Sequence, residues 1–311
     1  MAASSIQRWT ITGREEWLAR RKPNINGSEI GALFGCSPFM TPYALYAEKA
    51  ELAALPDIDN DAMRRGRIME PAVAQAIREQ HPDWSIVKAD DYVWSPDWRL
   101  GCTPDFWISA PSTARHGVLQ AKSVAKPIFD AEWQDGPPQW IVLQTLQEMM
   151  LADVSWGVIG ALVLSTFTVD LKLFEFTRHA GAEAKMIAEA KRFWADVEAA
   201  RPPKPDYAAD GDVIKAIYAR DDGPTLDLSR DNRMPELLDR HEQLAAMGRH
   251  AETEMKAIKA EIADKLGAAA AATVPGWQIT NKLQHRKETV QKASSFRVLR
   301  IKRLQTQSEA A

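Results

Sequence analysis

The chain has 311 residues, 45% hydrophobic and 26% charged, with a formal charge of −3, an ordinary globular composition with room for one large domain and a smaller one. No run of about 18 apolar residues occurs, so no transmembrane helix is expected, and the opening MAASSIQRWTITGREEW lacks the charged-then-apolar order of a signal peptide. The two cysteines, Cys36 and Cys102, exclude a four-cysteine zinc or iron–sulfur cluster within one chain and point to a reducing compartment.

The charge is unevenly spread. Residues 277–303 hold Lys282, Arg286, Lys287, Lys292, Arg297, Arg300, Lys302 and Arg303 against one acid, Glu288. That leaves about −10 for the rest of the chain, and a basic segment on an acidic body suits a polyanion partner at one locus. A solvated basic tail is the alternative.

Residues 13–50 read as two helices around a turn. Residues 14–21 carry Trp17 and Leu18. Ser28 is placed to cap a helix over 29–34, and Gly35 to end it. A helix N-terminus is also an anion site, and Arg20, Arg21 and Lys22 lie just upstream. Residues 61–80 form a helix with Ile68, Ala72, Val73, Ala76 and Ile77 on one apolar stripe. Glu70 sits among them, either exposed or aimed at a site. Trp84, Tyr92, Trp94 and Trp98 read as strand-edge and core packing.

Residues 101–123, GCTPDFWISAPSTARHGVLQAKS, read as a β-hairpin with strands over 105–109 and 117–124 and a Pro, Ser, Thr and Gly loop between them. Asp105 stands at the mouth of the first strand. Gln120 and Lys122, two apart on the second, point to one side. An Asp, a second oxygen ligand and a Lys on one face can hold a hard cation and a water beside a phosphate.

Residues 125–138 read as a loop. The helix over 139–152 then places Gln144, Gln147 and Glu148 on one face. A polar stripe of this kind is usually solvated, yet beside the hairpin these residues are site candidates. Residues 156–164 read as a buried strand and 169–176 as its neighbour. An amphipathic helix over 179–200 ends at Arg201-Pro-Pro-Lys-Pro205, the clearest boundary in the chain. Domains are therefore expected over 1–205 and 206–311. The second contains a long helix over 233–266 with Leu237, Leu244, Ala251 and Ile258 at seven-residue spacing, a seam for a helical hairpin or coiled coil or a face packed on its own domain. Two strand-like runs follow, over 277–282 and 296–302. The order of elements gives an α/β core, a mixed sheet flanked by helices rather than regular βαβ repetition.

Five pieces in order carry a resemblance: Arg21 with Asn26-Gly-Ser-Glu-Ile30, Gly66-Arg-Ile-Met-Glu70, Thr103-Pro-Asp105, Leu119-Gln-Ala-Lys122, and Leu143-Gln144 within the helix over 139–152. Over about residues 13–200 the chain resembles the YqaJ-like viral recombinase family, the phage lambda-type alkaline exonucleases of the PD-(D/E)XK nuclease superfamily. The resemblance implies a central mixed β-sheet between helices with a helical and β C-terminal extension. It also implies hydrolysis of DNA phosphodiesters with Mg²⁺ or Mn²⁺. Carried over by position, Glu70, Asp105, Gln120 and the backbone carbonyl of Ala121 would be metal ligands. Lys122 would contact the scissile phosphate or orient the attacking water, and Gln144 would position Lys122 or the water. Arg21, Ser28 and Thr103 would match a pocket that grips a 5′-phosphate. The family pattern has Glu where this chain has Gln120; an amide oxygen can still ligate a hard cation but brings no charge.

The implied function is a metal-dependent 5′→3′ exonuclease acting on linear double-stranded DNA ends and leaving 3′ overhangs for phage-type recombination. The implied partners are a single-strand annealing protein and further copies of the chain in a trimer, and the implied setting is the cytoplasm of a bacterial or phage-infected cell. The alternatives are an endonuclease of the same superfamily and, because of Gln120, a non-catalytic DNA-end-binding recombinase partner.

Overall fold

A computed structural model describes the chain except residues 1–4, 54–59, 112–113, 222, 286–296 and 302–311. The chain divides into two compact units, residues 1–218 and 219–311. Among the described residues no helix is long and apolar enough to cross a membrane.

The first unit opens with β1 (Gln7–Thr10), α1 (Arg14–Arg21), β2 (Ile25–Asn26), α2 (Ile30–Leu33), α3 (Pro42–Lys49) and α4 (Asp61–Gln80). Strands β3 (Ser85–Lys88), β4 (Asp91–Ser95), β5 (Leu100–Cys102), β6 (Phe106–Ala110) and β7 (Arg115–Ala125) come next. The unit closes with α5 (Lys126–Glu132), α6 (Gln139–Ala152), β8 (Trp156–Leu164), β9 (Val169–Thr177), α7 (Ala180–Glu198) and α8 (Gly211–Ile217).

The strands form two sheets, a five-stranded β3-β6-β7-β8-β9 and a four-stranded β1-β4-β5-β2. The larger is the expected mixed sheet: β6 and β7 form the antiparallel hairpin, β7 and β8 run parallel, and β9 returns antiparallel. A parallel pair needs a crossover, and α5 with α6 supplies it. Alternation along β7 and β8 sorts the two faces. Leu119, Ala121, Val158 and Leu162 pack with Val73, Ala74 and Ile77 of α4. Val124, Ile159 and Ala161 pack with Ile141 of α6. Period-two side chains thus give each helix its own face of one buried sheet.

The second sheet was not foreseen from sequence. It depends on a close approach: a Cβ on Gly101 would run into the Tyr92 hydroxyl, so only glycine lets β5 lie beside β4. Gln147 of α6 then donates from Nε2 to the carbonyls of Ile25 (3.0 Å) and Gly101 (2.8 Å), tying the helix to β2 and β5.

Several local expectations are corrected. Ser28 does not cap α2; the residue before that short helix is Glu29, and Ser28 is exposed. The expected loop over 125–138 contains α5, where Pro127 lies in the first turn and Lys126 pairs with Asp130 at 2.8 Å. Proline at a helix start is preorganising rather than breaking. The hairpin pairs as far as Ala110 with Arg115, so its loop is shorter than the stretch over 110–116 left between the expected strands. Ile68, read as part of the α4 stripe, is exposed.

The first unit continues past Pro205 because Asp210 is buried and anchors the segment around it. Its Oδ1 accepts from the Thr41 hydroxyl at 2.5 Å and its Oδ2 from the Asp206 backbone N–H at 2.7 Å.

The second unit holds α9 (Arg233–Leu266) and a hairpin of β10 (Ala271–Val274) with β11 (Trp277–Thr280). Its turn uses Gly276 at φ +80°, a left-handed conformation that suits glycine. No residue of α9 is buried; its heptad leucines stay exposed. Residues 297–301, part of the second expected strand, have no regular structure. Residues 296 and 302, with much of the basic segment, lie outside the described residues.

Candidate active site

The hairpin register builds the site. Phe106 pairs with Leu119, so Asp105, one step earlier, faces Gln120 across the strands, on the same side as Lys122 and toward α6. Gln120 is 2% exposed and donates from Nε2 to Asp105 Oδ2 at 2.5 Å. The Ala121 backbone N–H donates to the same oxygen at 2.8 Å. Neither bond falls on Oδ1.

Helix α6 closes that face. Gln144 accepts from Lys122 Nζ at 3.4 Å and donates from Nε2 to Glu148 Oε1 at 3.0 Å. Lys122 also lies over the Trp140 ring, 5.4 Å from its centre. Asp105, Gln120, Lys122, Gln144 and Glu148 therefore form one continuous polar cluster on an otherwise apolar face. The polar stripe of α6 is not solvated: Gln144, Gln147 and Glu148 are all buried.

Glu70 comes from α4, on the opposite face. It pairs with Lys88 at 2.6 Å and acts on Asp105 through its charge. Burial pushes the Asp105 carboxyl up to about 6 against the pull of Lys122, and Glu70 adds to the rise. Burial and the Asp105 charge push Glu148 well above its ordinary range, with the Gln144 amide and Lys122 opposing. The two carboxyls thus act on each other, each charge opposing the ionisation of the other.

The second candidate cluster lies around Arg21. Its Nη2 donates to the Ser28 hydroxyl at 3.2 Å and pairs with Glu29 at 3.4 Å. Its guanidinium lies 4.5 Å from the centre of the Trp17 ring. Trp17 Nε1 donates in turn to the Thr103 hydroxyl at 3.1 Å. Arg21, Ser28 and Thr103 are thus brought together, with Trp17 as the link. Glu29 fixes the loop from below: it accepts from the Asn26 side chain at 3.0 Å and pairs with buried Lys49 of α3 at 2.7 Å. Burial opposes the Glu29 charge, yet Lys49 and Arg21 hold its carboxyl below the usual range.

Sequence reasoning assigned no role to Trp17 or Trp140, quoted Glu29 only within the Asn26–Ile30 piece, and kept Glu148 as a candidate without a role. Trp17 lies four residues before Arg21, one turn of the same helix, which is the signal that could have found it. Glu148 stands four after Gln144, and only its burial distinguishes it from a solvated acid.

A hard cation needs oxygen donors. Among the described residues, no three of His, Cys, Asp and Glu gather closely enough to hold one. The cluster nevertheless fits a cation that keeps part of its water. Gln120 Oε1 and Glu148 Oε2 are buried without a hydrogen-bond partner, and an unpaired buried oxygen is costly unless something takes its lone pairs. Asp105 supplies charge beside Gln120, and that charge acts on Glu148. The carboxylate of Glu70 is engaged by Lys88 and faces from the other side of the sheet.

Residues 16–155 match the family model described as the YqaJ-like viral recombinase domain. No curated protein matches the chain. Among solved structures, the alkaline exonuclease LHK-Exo from Laribacter hongkongensis is 16% identical, covering 65% of this chain and 99% of its own with a TM-score of 0.47. A phage-related exonuclease from Haemophilus somnus is 12% identical, covering 57% of this chain and 96% of its own with a TM-score of 0.43.

Proposed function

We propose, from the relationship of residues 16–155 to the YqaJ-like viral recombinase family, that this chain is a metal-dependent exonuclease that degrades linear double-stranded DNA from 5′ ends. Its 3′ single-stranded overhangs would serve phage-type homologous recombination, with a strand-annealing protein as partner, a trimer of this chain as the working form, and the cytoplasm of a bacterial or phage-infected cell as the setting. The observation that carries the reading is the polar cluster of Asp105, Gln120, Lys122 and Gln144 on the hairpin and α6.

Asp105, the Gln120 amide oxygen and the Ala121 carbonyl would hold a divalent cation, which would supply Lewis acidity at the scissile phosphate. Glu70 adds negative potential from the far face. Lys122 places a positive charge beside the non-bridging oxygens, where charge grows in the transition state. Gln144 holds the Lys122 ammonium in place through its carbonyl oxygen. Arg21, Ser28 and Thr103 bind the 5′-terminal phosphate and so choose which bond reaches Lys122, an effect of positioning rather than of chemistry. Trp17 supports the Arg21 guanidinium against its ring.

The test is degradation of linear duplexes bearing 5′-phosphate or 5′-hydroxyl ends, with a closed circle beside them, in Mg²⁺ or Mn²⁺. Loss of the linear DNA alone is expected. Cutting of the circle would turn the assignment to an endonuclease. Background-level degradation by both wild type and Asp105→Ala would leave a DNA-end-binding module. That second reading is favoured by one observation, the Gln120 amide already bonded to the Asp105 carboxylate.

A further inference from the structure

Glu148 is fully buried in the middle of α6. Its Oε1 accepts from Gln144, and its Oε2 has no partner. No ion pair within 4.0 Å is formed by it among the described residues. A buried carboxyl left half-satisfied costs free energy comparable with a lost hydrogen bond or more, and a glutamine would keep the acceptor for Gln144 in the same space without burying an acid. Its surroundings are not generic core. Gln144 joins it to Lys122, the Asp105 charge acts on it, and Gln120 Oε1 is another unpartnered buried oxygen of the same cluster. Gly27 adds a further constraint. A Cβ there would meet Gln144 Cγ and Glu148 Oε1 at 3.4 Å, so the loop carrying Ser28 passes alongside this pair.

Gln120 is neutral, and Glu70 is engaged with Lys88. The acids of the cluster on the face that carries Lys122 are therefore Asp105 and Glu148. We infer that Glu148 is a ligand-side acid of this site, supplying with Asp105 the negative charge that holds a divalent cation there, with the Gln120 amide oxygen as the neutral donor. This rests on the nuclease reading and assigns the second charge to the helix rather than to the hairpin.

The experiment is Mn²⁺ binding without DNA, followed by electron paramagnetic resonance of the free ion and by calorimetry, on wild type, Glu148→Gln, Glu148→Leu and Asp105→Asn. Both Glu148 variants remove a half-satisfied buried acid from the metal-free fold, so both should fold, as far-ultraviolet circular dichroism would show. Their Mn²⁺ affinity should fall at least 10-fold, as for Asp105→Asn, and the rise in melting temperature that Mn²⁺ gives the wild type should vanish. Wild-type affinity in either folded variant would overturn the assignment while leaving the nuclease reading intact. No Mn²⁺ binding by the wild type would overturn it too, and degradation of linear DNA by the same preparation would then show whether the nuclease reading survives.

Discussion

Asp105→Asn should stabilise the metal-free protein at pH 8. The Asp105 carboxyl is raised from 3.8 to about 6, first by burial. A carboxyl raised in the folded state binds more protons there than in the unfolded chain. Its contribution is therefore fully present below pH 3.8 and is lost as pH climbs through about 6. A rise of this size corresponds to about 3 kcal/mol of stability forgone at pH 8, and solvent at the partly exposed carboxylate reduces it to about 1–2 kcal/mol. Asparagine keeps an acceptor for Gln120 and Ala121 while carrying no charge. Urea denaturation in EDTA should show the variant more stable than wild type by about that amount at pH 8. The gap should fall to about half at pH 5 and approach zero only below pH 3.8. Saturating Mn²⁺ should reverse the order, because only the wild type gains from binding. A variant less stable than wild type by the same margin at both pH values would contradict this account, since it would show that the carboxylate is a net structural asset.

Lys122→Met should lower turnover on linear duplex by about 100-fold or more, with affinity for DNA ends changed only slightly, because its charge acts on the transition state. Single-turnover kinetics would separate the two, and an equal loss in affinity would argue for a binding role alone. Arg21→Ala should erase the preference for 5′-phosphate over 5′-hydroxyl ends while activity on hydroxyl ends changes little; competition between the two substrates measures this. Gln120→Glu should keep or raise activity and shift the metal optimum. In the absence of metal it should melt at lower temperature than wild type, because it replaces an amide donor to Asp105 by a second acid.

Much of the scaffold was legible in the chain. The periodicities of Asp61–Gln80 and Gln139–Ala152 predicted helices with those bounds. Trp156–Leu164 was legible as a strand because it is a short apolar run between breakers. Pattern reading failed where a short element depends on a partner far away. Strands β2 and β5 are two and three residues long; β2 is a strand because β5 lies beside it, and β5 because it lies between β2 and β4. Ser28 looked like a helix cap because serine usually is one, but Arg21 takes its hydroxyl.

The make-up of the site was written in the order of residues. Asp105 at the mouth of a hairpin, with Gln120 and Lys122 two apart, commits those three side chains to one face, since alternation along a strand is local geometry. Helical spacing likewise places Gln144 and Glu148 together, one turn apart. What those placements mean depends on the assembled fold. Packing of α6 against β7 and β8 turned a stripe that would be solvated on an isolated helix into the buried wall of the site. It left Glu148 and Gln120 each with an oxygen that no group among the described residues satisfies. Packing of α4 paired Glu70 with Lys88 and left its charge acting on Asp105. Burial and long-range pairing are properties of the packed layers, and no spacing along the chain encodes which polar side chains lose their water.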